Sequence, residues 1–364
     1  MTIDIRGVHS ANLGAQLMLQ AITQRLGGTF ALSSNPTQGS YEFRARLGLG
    51  QTLHDFRRPR LSIAVGNRLP AGLAGRYGLV RDRDITGVLD ASGFAYSDSF
   101  AVARHQREAD FGANWHKHGV PRVMLPQAFG PFTDQEKAGL TRQILTQSAL
   151  VFVRDDVSLG YVRSLGISTP VERAVDFTIG LTPPPFEPVA TGDVLALVPN
   201  GKLISSGVIT REAYVDVFTR YAAAGAARGL TPLVVVHEAN DLDLGRAIAA
   251  AAGSDVFTHE DALVLKAVLG QAAVVVASRF HAVVGALSQG VPTLALGWSH
   301  KYAELMREFG VAGWNVTAEQ DPAERLTAVT EDGDAKRLLD TIPVLKESVE
   351  RMWLRTIDVL KGGR

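Results

Sequence analysis

Short, near-continuous apolar runs alternate along this chain with longer stretches of helical spacing. Residues 2–5, 60–65, 86–90, 121–125 and 149–153 read as strands in the first half, and 193–198, 231–236, 255–258, 272–277 and 291–296 in the second. Runs that are apolar throughout, rather than alternating with polar residues, suit strands of a parallel sheet covered on both faces. Between them the spacing predicts helices, among them 97–118, 211–228, 242–252, 261–269 and a long C-terminal one over 338–360. Strand and helix alternating in two blocks predict an α/β chain of two Rossmann-like, doubly wound domains. Residues 181–188, LTPPPFEP, interrupt the alternation with four prolines, which can neither continue a helix nor join a central strand. They read as a linker, with the two domains joined near residues 182–190.

The second block concentrates its chemistry in residues 271–302. Ser278 ends a valine-rich strand and reads as the N-cap of a helix over 282–289 that stops at Gly290. Ser278-Arg279-Phe280-His281 is thus a strand-to-helix turn, and Trp298-Ser299-His300-Lys301-Tyr302 leaves the carboxyl end of the next strand. Both turns open at the rim where open α/β sheets bind ligands, because helix N-termini there offer N–H groups and positive partial charge. Arg279 adds a fixed cation and His281 a titratable donor; His300 and Lys301 add two more. The fitting guest is an anion carrying phosphate or carboxylate. Taken singly, Arg279 reads as the partner of a structural carboxylate and His281 as a satisfied core histidine; taken as a cluster after two successive strands, they read as a site.

Other strand ends carry weaker signals. Gly7 and Asn12 lie in a turn that opens a helix to about Leu26, with Asn12 as its cap. Ser92 follows the strand over 86–90, Gln127 follows the one over 121–125, and Arg154-Asp155-Asp156-Val157-Ser158 follows the one over 149–153. Tight-turn chemistry accounts for the glycines and prolines around them, and a salt bridge from Arg154 to Asp155 or Asp156 would account for the arginine. His116 and His118 point apart on a helix, which discounts a metal there. Asp241-Leu242-Asp243 reads as a helix cap and a first-turn carboxylate rather than as the D-x-D of metal-dependent glycosyltransferases.

At 364 residues the chain can bury two cores. With no cysteine, disulfides, thiolate nucleophiles and Cys-ligated metal sites are excluded. The N-terminus MTIDIRGVHS lacks an apolar signal core and no stretch is long and apolar enough to span a bilayer, so a cytoplasmic protein is expected. Lysine plus arginine equals aspartate plus glutamate at 37 each, which gives no overall preference for nucleic acid. Residues 41–84 hold nine arginines (44, 46, 57, 58, 60, 68, 76, 81 and 83) against four acids. A solvated basic face is the simplest reading of that run, and peripheral contact with an anionic acceptor or the inner membrane surface is the alternative.

The segment S-R-F-H-A-x-x-x-A-L-x-x-G-V-P, followed by a short strand and an H-K-Y turn, resembles the C-terminal signature of the polysaccharide pyruvyl transferase family, with Phe280 where the family has leucine. Further turns are similar. Gly130-Pro131-Phe132 ends a version of G-Q-G-x-G-P-F in which Pro126 and Ala128 replace two glycines, and Arg154 to Ser158 matches R-D-x-x-S. Ala15 stands where the family's N-x-G-D has its acid. The resemblance implies a GT-B-like architecture in which two Rossmann-like domains face each other across a cleft and the C-terminal helix crosses back. Residues 1–185 would be the acceptor side, 190–340 the donor side, and 341–364 the helix packing back on the first domain. It implies transfer of a pyruvyl group from phosphoenolpyruvate to two hydroxyls of a sugar or lipid-linked oligosaccharide, with release of phosphate and with no metal or organic cofactor. His281 would be the acid, with Arg279 catalytic beside it; Arg154, Ser278, Arg279, His300 and Lys301 would bind the donor, and Gly7, Asn12, Ser92 and Gln127 the acceptor. The alternatives are a metal-independent GT-B glycosyltransferase using a nucleotide sugar and a non-catalytic anion-binding protein.

Overall fold

A computed structural model describes residues 1–33, 39–53, 59–297, 300–331 and 333–362, leaving out the side chains of residues 59–62, 300 and 331. The chain divides into two compact units, residues 1–177 with 348–364, and residues 178–347. The first carries strands β1 (Thr2–Arg6), β2 (Thr29–Leu32), β3 (Gly50–Thr52), β4 (Leu79–Val80), β5 (Gly87–Asp90), β6 (Phe94–Tyr96), β7 (Arg122–Phe129), β8 (Leu150–Val153) and β9 (Val171–Arg173). They pair in parallel in the order β4-β3-β2-β1-β5-β7-β8-β9, with β6 on β7. The second unit carries β10 (Val194–Val198), β11 (Thr231–Val236), β12 (Asp255–Thr258), β13 (Val274–Ala277), β14 (Thr293–Leu296) and β15 (Asn315–Val316). Their order, again parallel, is β12-β11-β10-β13-β14-β15.

Burial explains the apolar runs. Every residue of β5, β7, β8, β10, β13 and β14 is buried, as expected of strands covered on both faces. β7 continues beyond the expected 121–125 to Phe129, because its register shifts between Met124 and Gln127, around Pro126, which has no N–H for the ladder.

Two expectations are corrected, and six short strands were not expected. Residues 60–65 are not a strand but lie in the helix Pro59–Gly66. An apolar run this short has no decisive period, and proline at the first helical position favours helix. The proline-rich stretch does not lie between the two units: the second begins at Thr178 and includes it. There Phe186 packs edge-on against Phe257 with ring centroids 6.2 Å apart, and its carbonyl accepts from Gln271 Nε2 at 2.7 Å. Finally, β2, β3, β4, β6, β9 and β15 went unread, being two to four residues long and held by their neighbours in the sheet.

The last helix, Asp334–Leu360, starts in the second unit and ends in the first. Within the first unit Trp353 meets the Phe177 ring edge-on at 5.5 Å, Arg355 donates to Glu172 at 3.1 Å, and Glu350 pairs with Arg25.

Candidate active site

In the second sheet the strand order reverses between β10 and β13, and at such a switch point open α/β sheets leave a crevice outside the carboxyl ends. Asn200, after β10, donates from Nδ2 to the carbonyl of Ser278, after β13, at 2.8 Å. The Tyr302 hydroxyl donates to the same carbonyl at 2.7 Å. The Ser278 hydroxyl contacts the Tyr214 hydroxyl and donates to the Val198 carbonyl at 3.3 Å. Ser278 is therefore not the expected cap. The N-cap of the helix Phe280–Leu287 is Arg279, no side chain caps that helix, and the fully buried serine satisfies its hydroxyl inside the sheet.

Arg279 extends from this turn to two carboxylates on the loop after β11. Its Nε donates to Asp241 Oδ2 at 2.7 Å, and one Nη lies 2.5 Å from both Asp241 Oδ2 and Glu238 Oε2. Asp241 was expected to cap the helix Leu242–Ala252, and its side chain does not. Its other oxygen accepts from the Gly201 backbone at 2.8 Å, so this carboxylate ties the loops after β10, β11 and β13 together. Burial raises the Glu238 carboxyl above its ordinary range, with Asp241 adding to the rise and Arg279 opposing it. Burial, then the charges of Arg279 and His281, pushes His237 down to about 3, which leaves it neutral.

His281 meets the Phe280 ring edge-on at 5.5 Å, and Lys301 Nζ lies 5.5 Å from the centroid of that same ring and 5.4 Å from that of Tyr302. The turn after β13 and the helix after β14 thus bring Ser278, Arg279, His281 and Lys301 together. The His300 side chain lies outside the described residues. Glu238, Asp241, His237, Asn200 and Tyr214 are the members that sequence reasoning missed. Among them only Asp241 was considered, in a different role.

The first sheet has its own switch point, between β1 and β5. Gly7 follows β1 with φ +80, and a Cβ there would lie 2.1 Å from Ser92 Oγ, so only glycine fits. Ser92 donates to Asp90 Oδ1 at 2.6 Å. Asp90 also accepts from Tyr96 at 2.6 Å and from Arg122 at 2.5 Å. Burial alone would raise this carboxyl, but Arg122 with the Ser92 and Tyr96 hydroxyls outweighs it and holds Asp90 at about 2. Asn12 caps the helix Leu13–Arg25 as expected, accepting from Ala15 N at 3.1 Å. Gln127 is fully buried, and neither end of its amide is hydrogen bonded among the described residues. Its carbonyl accepts from Arg154 N at 3.1 Å.

Arg154 pairs with neither expected neighbour. Asp155 caps the helix Asp156–Ser164 through Ser158 N at 2.7 Å, Asp156 pairs with Arg173 at 3.0 Å, and Arg154 lies 3.4 Å from Asp176 Oδ2. Gly7, Ser92 and Arg154 accordingly follow the carboxyl ends of β1, β5 and β8, whereas Gln127, expected after its strand, lies inside β7, short of its end at Phe129. Arg154 belongs to the first unit, whereas Arg279, His281 and Lys301 belong to the second.

The basic run is partly internal. Arg44 is buried and donates to the Gly39 carbonyl and to Gln51 at 2.5 Å, and Arg81 holds both oxygens of Asp84 at 2.6 and 2.7 Å. Arg46, Arg68, Arg76 and Arg83 are exposed. Arg57, Arg58 and the Arg60 side chain lie outside the described residues. Among the described residues no three His, Cys, Asp or Glu side chains cluster as a metal site would need, and no helix is long and apolar enough to cross a membrane.

Residues 12–300 match the sequence model of the polysaccharide pyruvyl transferase family. No curated protein matches the chain. Among solved structures, a UDP-N-acetylglucosamine 2-epimerase of Listeria monocytogenes, described there as putative, superposes with a TM-score of 0.64 at 9% identity, covering 100% of this chain and 97% of its own. The Neisseria meningitidis UDP-GlcNAc 2-epimerase bound to UDP-GlcNAc has a TM-score of 0.59 at 9% identity, covering 97% and 99%. Arabidopsis thaliana UGT89C1, complexed with UDP-L-rhamnose, has a TM-score of 0.59 at 10% identity, covering 99% and 98%. At such identities the likeness is one of fold, and the fold class is that of GT-B glycosyltransferases and epimerases.

Proposed function

Because the chain belongs to the polysaccharide pyruvyl transferase family, we propose that it transfers a pyruvyl group from phosphoenolpyruvate to two hydroxyls of one sugar, forming a cyclic ketal and releasing phosphate. The observation that carries this reading is the convergence of Arg279, His281 and Lys301 at the second unit's switch point. Carbon 3 of the enol must be protonated so that carbon 2 becomes electrophilic, and His281 is the group for that task. Phosphate must then leave, which calls for fixed cations on its developing charge, the role of Arg279 and Lys301 with His300 in the second unit; Arg154, in the first, is a further anion-binding candidate. Gly7, Asn12, Ser92 and, from within β7, the buried Gln127 are the acceptor-side residues of this reading, and the acceptor is a polysaccharide or its lipid-linked precursor. The exposed arginines 46, 68, 76 and 83 suit a peripheral contact with the anionic membrane surface on which such a precursor sits.

A nucleotide-sugar transferase is the competing reading, since two of the fold neighbours named above carry a UDP sugar. The purified protein is expected to gain thermal stability from phosphoenolpyruvate and not from uridine or guanosine diphosphate, and to release phosphate with a sugar acceptor without added metal. Stabilisation by nucleoside diphosphates alone would overturn pyruvyl transfer.

Arg279 supplies a second test. Its planar fork spans Asp241 and Glu238, which an ammonium cannot copy. Arg279→Lys is therefore expected to weaken phosphoenolpyruvate binding about tenfold or more, although charge is kept. Parent-like donor affinity in the lysine variant would refute a role for the fork.

A further inference from the structure

Ketal formation removes two protons from the acceptor's hydroxyls and returns one to carbon 3, so the reaction needs a proton acceptor as well as a donor. We infer that Glu238 is that acceptor, a general base beside Arg279 and His281; the inference rests on the pyruvyl-transfer reading.

The two carboxylates on Arg279 differ in what they leave available. Both oxygens of Asp241 are committed, one to the Gly201 backbone and one to the guanidinium, and its side chain is 3% exposed. Glu238 meets Arg279 through Oε2, and its side chain is 15% exposed, five times the figure for Asp241. His237, the other candidate on this loop, is buried. The Glu238 backbone is extended, at φ -147 and ψ 139, and its carbonyl accepts from Asp241 N at 2.9 Å, so the side chain is held by the same turn that holds Arg279. The charged groups acting on it are Arg279 and Asp241; burial and Asp241 outweigh Arg279 and make it a stronger base than a solvated glutamate.

The proton balance closes. As the first hydroxyl oxygen bonds to carbon 2, carbon 3 takes a proton from the His281 imidazolium and Glu238 takes the hydroxyl proton. When the bond from carbon 2 to the phosphate oxygen breaks, Glu238 hands that proton to the departing phosphate, which leaves as hydrogen phosphate. The second hydroxyl then attacks carbon 2, Glu238 takes its proton, and that proton returns to His281. One proton has gone to carbon 3 and one to phosphate, both from the diol.

The test uses the full chain with phosphoenolpyruvate and a panel of methyl hexopyranosides, following phosphate release. Glu238→Gln is expected to lower kcat by about 10²- to 10⁴-fold with the KM for phosphoenolpyruvate within about threefold of the parent. A base works only when deprotonated, so the parent's rate should fall as pH drops through the carboxyl's raised pKa, and Glu238→Gln should lack that acid limb. Formate should restore part of the rate of Glu238→Ala. Activity of Glu238→Gln within tenfold of the parent would overturn the inference. So would a loss confined to the phosphoenolpyruvate KM with the acid limb intact and no formate rescue, which would make Glu238 only a holder of Arg279. If the parent neither binds phosphoenolpyruvate nor releases phosphate from it, pyruvyl transfer itself fails, and the base falls with it.

Discussion

Replacing His281 with asparagine is expected to lower turnover by about two to four orders of magnitude, the range for a positioned acid and equivalent to about 3–5 kcal/mol of barrier. The residue lies in the first turn of the helix Phe280–Leu287, edge-on to Phe280 and within electrostatic reach of His237. Asparagine keeps that turn helical and polar, so folding should survive. If the imidazolium gives its proton to carbon 3, the loss should appear in kcat while stabilisation by phosphoenolpyruvate persists. Near-normal activity at equal thermal stability would return His281 to a structural role.

The alternation of buried strands and helices was legible because parallel strands covered on both faces have no polar face to dilute the signal. β11 and the helix Leu242–Ala252 fall where the periodicity puts them. Illegible were the short strands. Gly50–Thr52 and Leu79–Val80 carry too few residues for a period and exist because β2 and β3 offer them a ladder. The proline-rich stretch shows a different limit. Proline dictates that a segment is neither helix nor central strand, yet says nothing about where Phe186 beside it will pack.

At the site, the cations were legible and their counter-charges were not. Arg279 and His281 sit on one turn, so a strand-to-helix reading places them. Glu238 and Asp241 follow β11, and β11 and β13 are separated in the sheet by β10, an order that no local pattern encodes. Ser278 and Asp241 both have the chemistry of helix caps, and both were drawn to stronger partners, the Tyr214 hydroxyl and the Arg279 guanidinium. Capping is worth about 1 kcal/mol, whereas leaving a buried hydroxyl or charge without a partner costs more. The same rule explains Arg154, which turns from its adjacent acids to the buried Asp176.

The largest expected effect on stability lies in the first unit, beneath the Ser92 turn. Arg122 is 1% exposed and lies between Asp90 at 2.5 Å and Glu108 at 3.1 Å. Glu108 in turn holds the buried Arg6 at 2.8 Å, and Trp115 lies against both guanidinium groups, at 5.5 Å from Arg6 and 5.7 Å from Arg122. Removing one member strands the others. Arg122→Leu leaves Asp90 buried without its cation and should cost about 3–5 kcal/mol, a large part of the stability of an ordinary domain. Chemical denaturation followed by tryptophan fluorescence would read it, and a cost below about 1 kcal/mol would show that Asp90 is satisfied by Ser92 and Tyr96 alone. The pH dependence has a fixed sign. The folded carboxyl of Asp90, at about 2, is depressed below its unfolded value of 3.8, so its contribution is fully present above that value and is lost as pH falls toward 2. That contribution is about 2 kcal/mol. Asp90→Asn should remove this part of the acid sensitivity, and because Ser92 loses its charged acceptor in the same variant, the Gly7–Ser92 contact at the switch point should loosen with it.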